Sequence, residues 1–368
     1  MNVMVRDQNT SAIELMEMVL REGAPICSEY PLVFGEDSPG RIITVEEEGE
    51  VRSTCAVLVR DLITPQVSFK VGLIGSVSTH PDHRGKGLAT RVLAAAEEEL
   101  RAAGCLFSLL WADEPAFYEG RGYQQIGTEV DYVIGPKALK KFPSSDEVRP
   151  ADSKDLMGVH TLYMRHDQRI ERTPGETECL MATPGMELLV KEDAGEIVAY
   201  TCMGRGEDMK GVVHEWAGAP EHVAACLHGH LRRRAIQGDS SEIFLIAPAD
   251  ATGLKKTLGK LGARSALGVL GMGKLLNLQK LVDIYAWFLG PDGDVRVDQR
   301  PAQLREDGQP GLRIQGPNMA LLFEAEEAFR ILFSPRGEDK DVKYLRRALG
   351  LKLDTLPLKP FVWGLDSI

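Results

Sequence analysis

The stretch Val77-Ser78-Thr79-His80-Pro81-Asp82-His83-Arg84-Gly85-Lys86-Gly87-Leu88-Ala89-Thr90 decides how this chain is read. It starts in the last residues of an apolar, strand-like run from Val67 to Thr79. It leads into a helix from about Gly87, in which Leu88, Val92, Ala96 and Leu100 recur every fourth residue on one face. Gly85 and Gly87 lie in the turn, where glycine lets a backbone approach a ligand closely. The N–H groups that open a helix have no partner within it, and together with the helix dipole they attract an anion. Arg84 and Lys86 add positive charge. The physical reading is a pyrophosphate cradle built from a strand, a tight turn and a helix N-terminus.

Around this stretch, residues 1 to about 135 alternate strand-like and helix-like segments. Val3 to Val5, Arg41 to Glu47, Val51 to Asp61 and Cys105 to Trp111 read as strands. Ser11 to Arg21 and Pro115 to Arg121 read as helices, the second opened by proline and stopped at Gly122. Tyr123 to Ile134 reads as the last strand of this unit. Residues 135–150, with Pro136, Pro143 and Pro150, read as a linker. The pattern then restarts, with a helix over Asp155 to Arg165, strands at Glu187 to Lys191, Glu196 to Met203 and Val212 to Trp216, a helix over Pro220 to Ile236 and a strand at Glu242 to Ala247. The repeated order without sequence identity predicts a duplicated, diverged unit. From about Val282 the character changes. Asp292-Gly293 reads as a hairpin turn, a helix is predicted over Glu324 to Phe333, and the chain closes on the apolar Phe361 to Leu365. The expected fold class is α/β (α+β): tandem α/β units over 1–140 and 146–282, the second degenerate, and a small α+β domain over 283–368.

The chain has 368 residues, which at about 150 residues per domain predicts two to three domains. A hydrophobic fraction of 43% and a charged fraction of 26% are ordinary for a globular protein, and they exclude a disordered chain or a disulfide-stapled scaffold. No run of about 18 apolar residues occurs, and no basic start precedes an apolar core, so no membrane partner and a cytoplasmic location are expected. The net charge of −11 argues against a nucleic-acid partner. Six cysteines are scattered singly, without a Cys-x-x-Cys pair, and read as buried free thiols with no metal site.

Arg84-x-x-Gly87-x-Ala89 fits the R/Q-x-x-G-x-G/A coenzyme A signature, and Thr79 to Gly87 closely resembles the corresponding stretch of the GNAT acetyltransferase superfamily. Downstream, Phe117-Tyr118-Glu119-Gly120-Arg121-Gly122-Tyr123 resembles that superfamily's second landmark, F/Y-Y-x-x-x-G-F/Y. The resemblance implies acetyl-CoA as co-substrate. Backbone groups of Val77, Ser78 and Thr79 would pair with the pantetheine arm. Arg84, Gly85, Lys86, Gly87, Leu88, Ala89 and Thr90 would surround the pyrophosphate. Tyr118 would lie near the coenzyme sulfur and protonate the leaving thiolate. The chemistry is consistent: a tyrosine pKa of roughly 10 is close enough to a thiol's roughly 8.5 for proton donation as charge develops. A strand amide near Val77 to Thr79 could stabilise the oxyanion. Without the superfamily spacing, Tyr118 reads as a packed helix tyrosine.

The whole-chain layout resembles the Eis (enhanced intracellular survival) type of acetyltransferase, in which a working GNAT domain precedes a degenerate one and a sterol carrier protein-like C-terminal domain. That resemblance implies that the terminal carboxylate, here on Ile368, serves as the base, and that the protein is a homo-oligomer, a hexamer by analogy. A carboxylate of pKa about 3.5 is a weak base unless desolvated. Docking of the apolar tail would help; a tail packed only for stability is the alternative. Gly218 to His222 stands where the first unit has its cradle and lacks the signature, so no coenzyme is expected there. The implied acceptor is an amine on a small molecule or peptide. Asp113 and Glu114 either attract a cationic amine or cap the tyrosine helix. The other reading of the chain is a non-catalytic acetyl-CoA-binding sensor or interaction protein.

Two further patterns are discounted. Gly268-x-x-x-x-Gly273-Lys274 matches most of a nucleotide-binding loop, but Leu275 stands where a Ser/Thr would hold magnesium. His228 and His230, two apart on a helix, would not converge on a metal.

Overall fold

The computed structural model describes residues 2–35, 37–289, 295–300, 311–316, 320–335, 340, 344 and 358–368. The N-terminal part supplies β1 (Asn2–Arg6), β2 (Arg41–Glu47), β3 (Glu50–Ile63), β4 (Ser68–Thr79), β5 (Phe107–Leu110) and β6 (Gln124–Ile126). Between them lie α1 (Thr10–Leu20), α2 (Pro31–Phe34), α3 (Leu88–Ala102) and α4 (Pro115–Glu119). Asn9 opens α1 by accepting from the Ala12 N–H at 3.1 Å. The two faces of this sheet bury different helices. Ala12 and Met16 of α1 pack with Ile42, Ala56 and Leu58. Leu88, Val92 and Ala96 of α3 pack with Ile43, Val57 and Ile74, so the four-residue repeat read from sequence is the buried stripe of α3.

The second sheet uses β7 (Glu129–Ile134), β8 (Val148–Pro150), β10 (Glu187–Asp193), β11 (Glu196–Arg205), β12 (Asp208–Gly218), β13 (Ile243–Pro248) and β14 (Arg264–Gly268), while the short β9 (Arg169–Ile170) pairs with β3 of the first sheet. Its helices are α5 (Leu156–Tyr163), α6 (Pro174–Met181), α7 (Pro220–Ile236) and α8 (Thr252–Leu261). Then come β15 (Gly271–Leu275) and α9 (Leu278–Leu289). A three-stranded antiparallel sheet of β16 (Arg296–Arg300), β17 (Gly311–Gln315) and β18 (Ala320–Glu324) follows, and α10 (Ala325–Phe333) occupies the predicted span. The turn read at Asp292-Gly293 lies outside the described residues.

The two large sheets trade strands, which corrects one expectation. Tyr123 to Ile134 is not a single strand. Gly127, at φ +69°, breaks it, and its N–H donates to Phe333 O at 2.9 Å. A side chain at 127 would stand 2.6 Å from Leu270 Cβ, so the break is built into the packing. β6 stays in the first sheet, whereas β7 pairs with β13 and β14 in the second. In return β15 inserts between β5 and β6. Residue 282, where the sequence changes character, lies inside α9 rather than at a linker. Helix α6 was not anticipated, although Thr173 and Glu176 form a capping box readable as T-x-x-E. The cysteines are free. Cys55, Cys105, Cys202 and Cys226 are buried and Cys27 is half-buried, but Cys179 is exposed on α6. Among the described residues no helix is long and apolar enough to cross a membrane.

The closing segment is buried, as its apolar character implies. Trp363 is fully enclosed, stacked on His166 at 4.1 Å and edge-on to Trp216 at 5.3 Å, and its indole N–H donates to Gln168 O at 2.9 Å. Trp363→Ala is expected to lower the unfolding free energy by about 3–5 kcal/mol, the range for emptying a buried tryptophan site. A urea titration measures this; a loss under about 1 kcal/mol would show that the tail adds little to the fold.

Candidate active site

Strand β4 carries a β-bulge where it passes β3. Thr54 pairs with Ser78 and Ala56 with Gly75, so Ser76 and Val77 together oppose Cys55. Ser76 takes φ +52°, an uncommon conformation for a non-glycine residue. β4 and β5 run parallel and pair at Val71–Phe107, Gly72–Ser108 and Leu73–Leu109, then separate. A cavity of about 770 Å³ opens where they part. Its walls are the bulged end of β4, the turn after it, the segment Leu110 to Glu114, helix α4 and the end of α1.

The cradle has the local geometry that its residues suggest. Pro81–His83 forms a 3₁₀ turn, and His80 Nδ1 accepts from the Asp82 N–H at 3.3 Å. Gly85 and Gly87 both adopt positive φ, +74° and +75°, with open space where a Cβ would stand. Gly87 is the N-cap of α3 and offers no side-chain cap, which leaves the first-turn N–H groups available to a ligand. Desolvation, then the charges of Lys86 and Arg52, hold the His83 imidazole below its ordinary value, so at neutral pH the cradle's positive charge comes from Arg84 and Lys86.

Val77, Thr79, Arg84, Gly85, Gly87, Leu88, Ala89, Thr90, Tyr118 and Ile368 all line this cavity. Ser78 and Lys86 are not among the lining residues. Ser78 is buried and its carbonyl accepts from Ser53 Oγ at 2.9 Å, while Lys86 is exposed, its Nζ 3.5 Å from His83 Nδ1. Tyr118 is half-buried between Phe117 and Tyr123, ring centroids 5.0 and 5.7 Å away. Burial first, then the neighbouring Cys55, Asp113 and Glu114, raise its phenol above the ordinary value, against an opposing pull from Arg121. Ile368 brings its main chain against Gly75, where an added Cβ would lie 2.5 Å from Ile368 C and O. Gly75 is not at positive φ, so the backbone there accepts alanine and only the tail objects. Gly75→Ala is therefore expected to displace Ile368 and cost about 1–3 kcal/mol. Thermal unfolding against wild type checks it, and an unchanged midpoint would show that the tail moves aside freely.

Sequence reading missed three contributors. Ser76 gives no local sign of its bulge. Trp111 reaches the cavity from the end of β5. Arg121 sits inside the second landmark: Nε and Nη2 donate to Thr90 Oγ1 at 3.1 and 2.9 Å, and its guanidinium lies 3.6 Å over the Phe117 ring. That bridge ties α4 to the first turn of α3. Asp113 and Glu114 are exposed at the cavity edge, and Glu114 makes no side-chain capping bond to α4.

The discounted patterns resolve structurally. Gly268 to Lys274 spans the end of β14 and most of β15, and Lys274 Nζ pairs with Glu97 at 2.7 Å. His228 contacts Ser145, whereas His230 contacts Thr201 and Glu187. No group of three or more His, Cys, Asp or Glu able to hold a metal occurs among the described residues.

Residues 32–126 match the family model described as an acetyltransferase (GNAT) domain. Over 100 residues the chain is 31% identical to an aminoglycoside 2'-N-acetyltransferase of Mycolicibacterium fortuitum, a stretch covering 27% of this chain and 51% of that protein. The chain thus spans about half the length of the curated relative it matches. Among solved structures, a GCN5-related N-acetyltransferase from Anabaena variabilis aligns at a TM-score of 0.67 and 15% identity, covering 100% of both chains. Eis1 from Mycobacterium abscessus aligns at 0.54 and 13%, covering 95% of this chain and 93% of that one. At such identities the likeness is one of fold, and it extends over nearly the whole chain.

Proposed function

We propose that the chain is an acetyl-CoA-dependent N-acetyltransferase that moves an acetyl group to a primary amine by direct attack. The observation that carries the reading is that one cavity is lined by the open cradle turn, the bulged strand, Tyr118 and Ile368. The cradle at Arg84 to Thr90 suits the coenzyme's phosphates, and the parted ends of β4 and β5 suit its arm. The amine nitrogen bonds to the thioester carbon as the carbon–sulfur bond breaks. The Ile368 carboxylate takes a proton from the amine, and Tyr118 gives one to the leaving sulfur. A β4 amide near Val77 faces the developing oxyanion. Asp113 and Glu114 at the cavity edge favour a cationic acceptor on a small molecule or peptide.

By the same resemblance we propose three units at about 1–140, 146–282 and 283–368, with β7 and β15 traded between the first two sheets and α9 crossing the last boundary, the third unit sterol carrier protein-like, and a homo-oligomeric assembly. The test is coenzyme A release from acetyl-CoA across polyamines, amino sugars and peptide amines. Release dependent on one amine class is expected. Coenzyme binding by calorimetry without release from any amine would favour the sensor reading.

A further inference from the structure

A buried polar cluster joins two strands of the second sheet, β11 and β12, to the chain's closing segment. Arg172, between β9 and α6, is 1% exposed. Its Nη1 and Nη2 donate to the Glu215 carboxylate at 3.1 and 2.7 Å, and its Nε donates to Asp366 Oδ1 at 2.6 Å. The other Asp366 oxygen accepts the Tyr163 O–H at 2.7 Å, and the Tyr163 ring lies 3.8 Å beneath the guanidinium. Arg205, also buried, donates from Nη1 to the carbonyls of Gly364 and Ser367 at 2.8 and 2.9 Å. Its Nε reaches Glu29 O at 2.9 Å, in the first unit. Both arginines therefore grip the segment that ends in the cavity at Ile368.

Burying ions costs solvation, and well-packed apolar residues stabilise a core at least as well, so such a cluster is poorly explained by stability alone. It does fix direction. Two carboxylate oxygens and two carbonyls are each held by a directed donor, and a one-residue slip would break all four contacts. The backbone path is equally constrained, because a Cβ at Gly364 would stand 2.4 Å from His214 Cβ.

We infer that Arg172 and Arg205 are positioning residues that set the tail's register, and that the degenerate second unit serves the reaction as the clamp that delivers Ile368 to the first unit's cavity. This rests on the acetyltransferase reading for its catalytic consequence, but the clamp itself can be tested without turnover. Asp366→Asn leaves the Arg172–Glu215 pair in place and weakens only the hold on the tail. Hydrogen exchange of the amides of 361–368 is expected to quicken at least about tenfold in that variant, with protection of β11 and β12 unchanged. The kcat is expected to fall about 10²-fold, as for a misplaced reacting group, while coenzyme affinity by calorimetry stays within about twofold. Added acetate is expected to restore part of the kcat of Asp366→Asn and none of Tyr118→Phe. Arg205→Met provides a second variant, expected likewise to quicken exchange of 361–368 and lower kcat, with protection of β12 unchanged.

Unchanged tail exchange in both variants would overturn the clamp. A released tail with intact kcat would overturn its role in the reaction. So would a kcat loss matched by equal loss of coenzyme affinity, which signals general damage. If the wild-type protein shows no amine-dependent release at all, the acetyltransferase reading fails, and the exchange measurement still decides the clamp.

Discussion

Tyr118→Phe is expected to lower kcat by about 10²-fold or more, the range for removing a positioned general acid, with coenzyme affinity unchanged. The phenylalanine ring keeps the edge-on contacts to Phe117 and Tyr123, so packing survives and only the O–H is lost. The cradle that suits the coenzyme's phosphates is made by other residues, so binding and chemistry separate. The pH profile follows from the direction of the phenol's shift. A general acid acts while protonated, and the Tyr118 phenol is held above its ordinary 10.0 by burial and acidic neighbours. Its titration therefore removes no activity between neutral pH and about 10, and an alkaline limb due to Tyr118 begins only above that. Single-turnover kinetics of wild type and variant would measure both effects. Equal kcat values, or an alkaline limb that persists in Tyr118→Phe, would take the tyrosine out of the mechanism.

Extending the chain past Ile368 by three glycines is expected to reduce kcat by at least about 10²-fold, because an amide there accepts no proton. The added residues would also have to leave a position where the Ile368 main chain already presses against Gly75. Ile368→Val keeps a terminal carboxylate and trims only one methylene, so it is expected to retain kcat within about threefold. The pair of variants separates the charge from the side chain. A fully active extended enzyme would remove the base assignment, whereas equal losses in both variants would indicate packing rather than proton transfer.

The cradle was legible from sequence because its determinants are local. Gly85, Gly87, Arg84 and the apolar stripe of α3 lie within one strand–turn–helix, where chain spacing dictates spatial spacing. Tyr118 became a candidate only through the resemblance of Phe117 to Tyr123 to a family landmark; its own residue pattern reads as a packed helix tyrosine. The missed contributors need information from elsewhere in the chain. Ser76 bulges because β3 offers one residue, Cys55, opposite two. Arg121 gains its role only when α4 packs beside Thr90. Asp113 and Glu114 were ambiguous in sequence, and the absence of a capping bond at Glu114 favours the cavity-edge reading.

The sequence by itself determined the α/β class and most of the strands and helices of the first unit, though not α2 or the break at Gly127, and it marked Arg84 to Thr90 as a candidate anion cradle, because short-range periodicity and glycine chemistry act locally. It also marked the tail as apolar. Only the tertiary structure decided that β7 and β15 change sheets, since alternation tells a strand which face to bury but not which neighbour to pair with. Tertiary packing also brought Ile368 to Gly75 and tied the tail to Arg172 and Arg205 across the two units. Those contacts join residues more than 150 positions apart, and no local pattern encodes a partner at that separation.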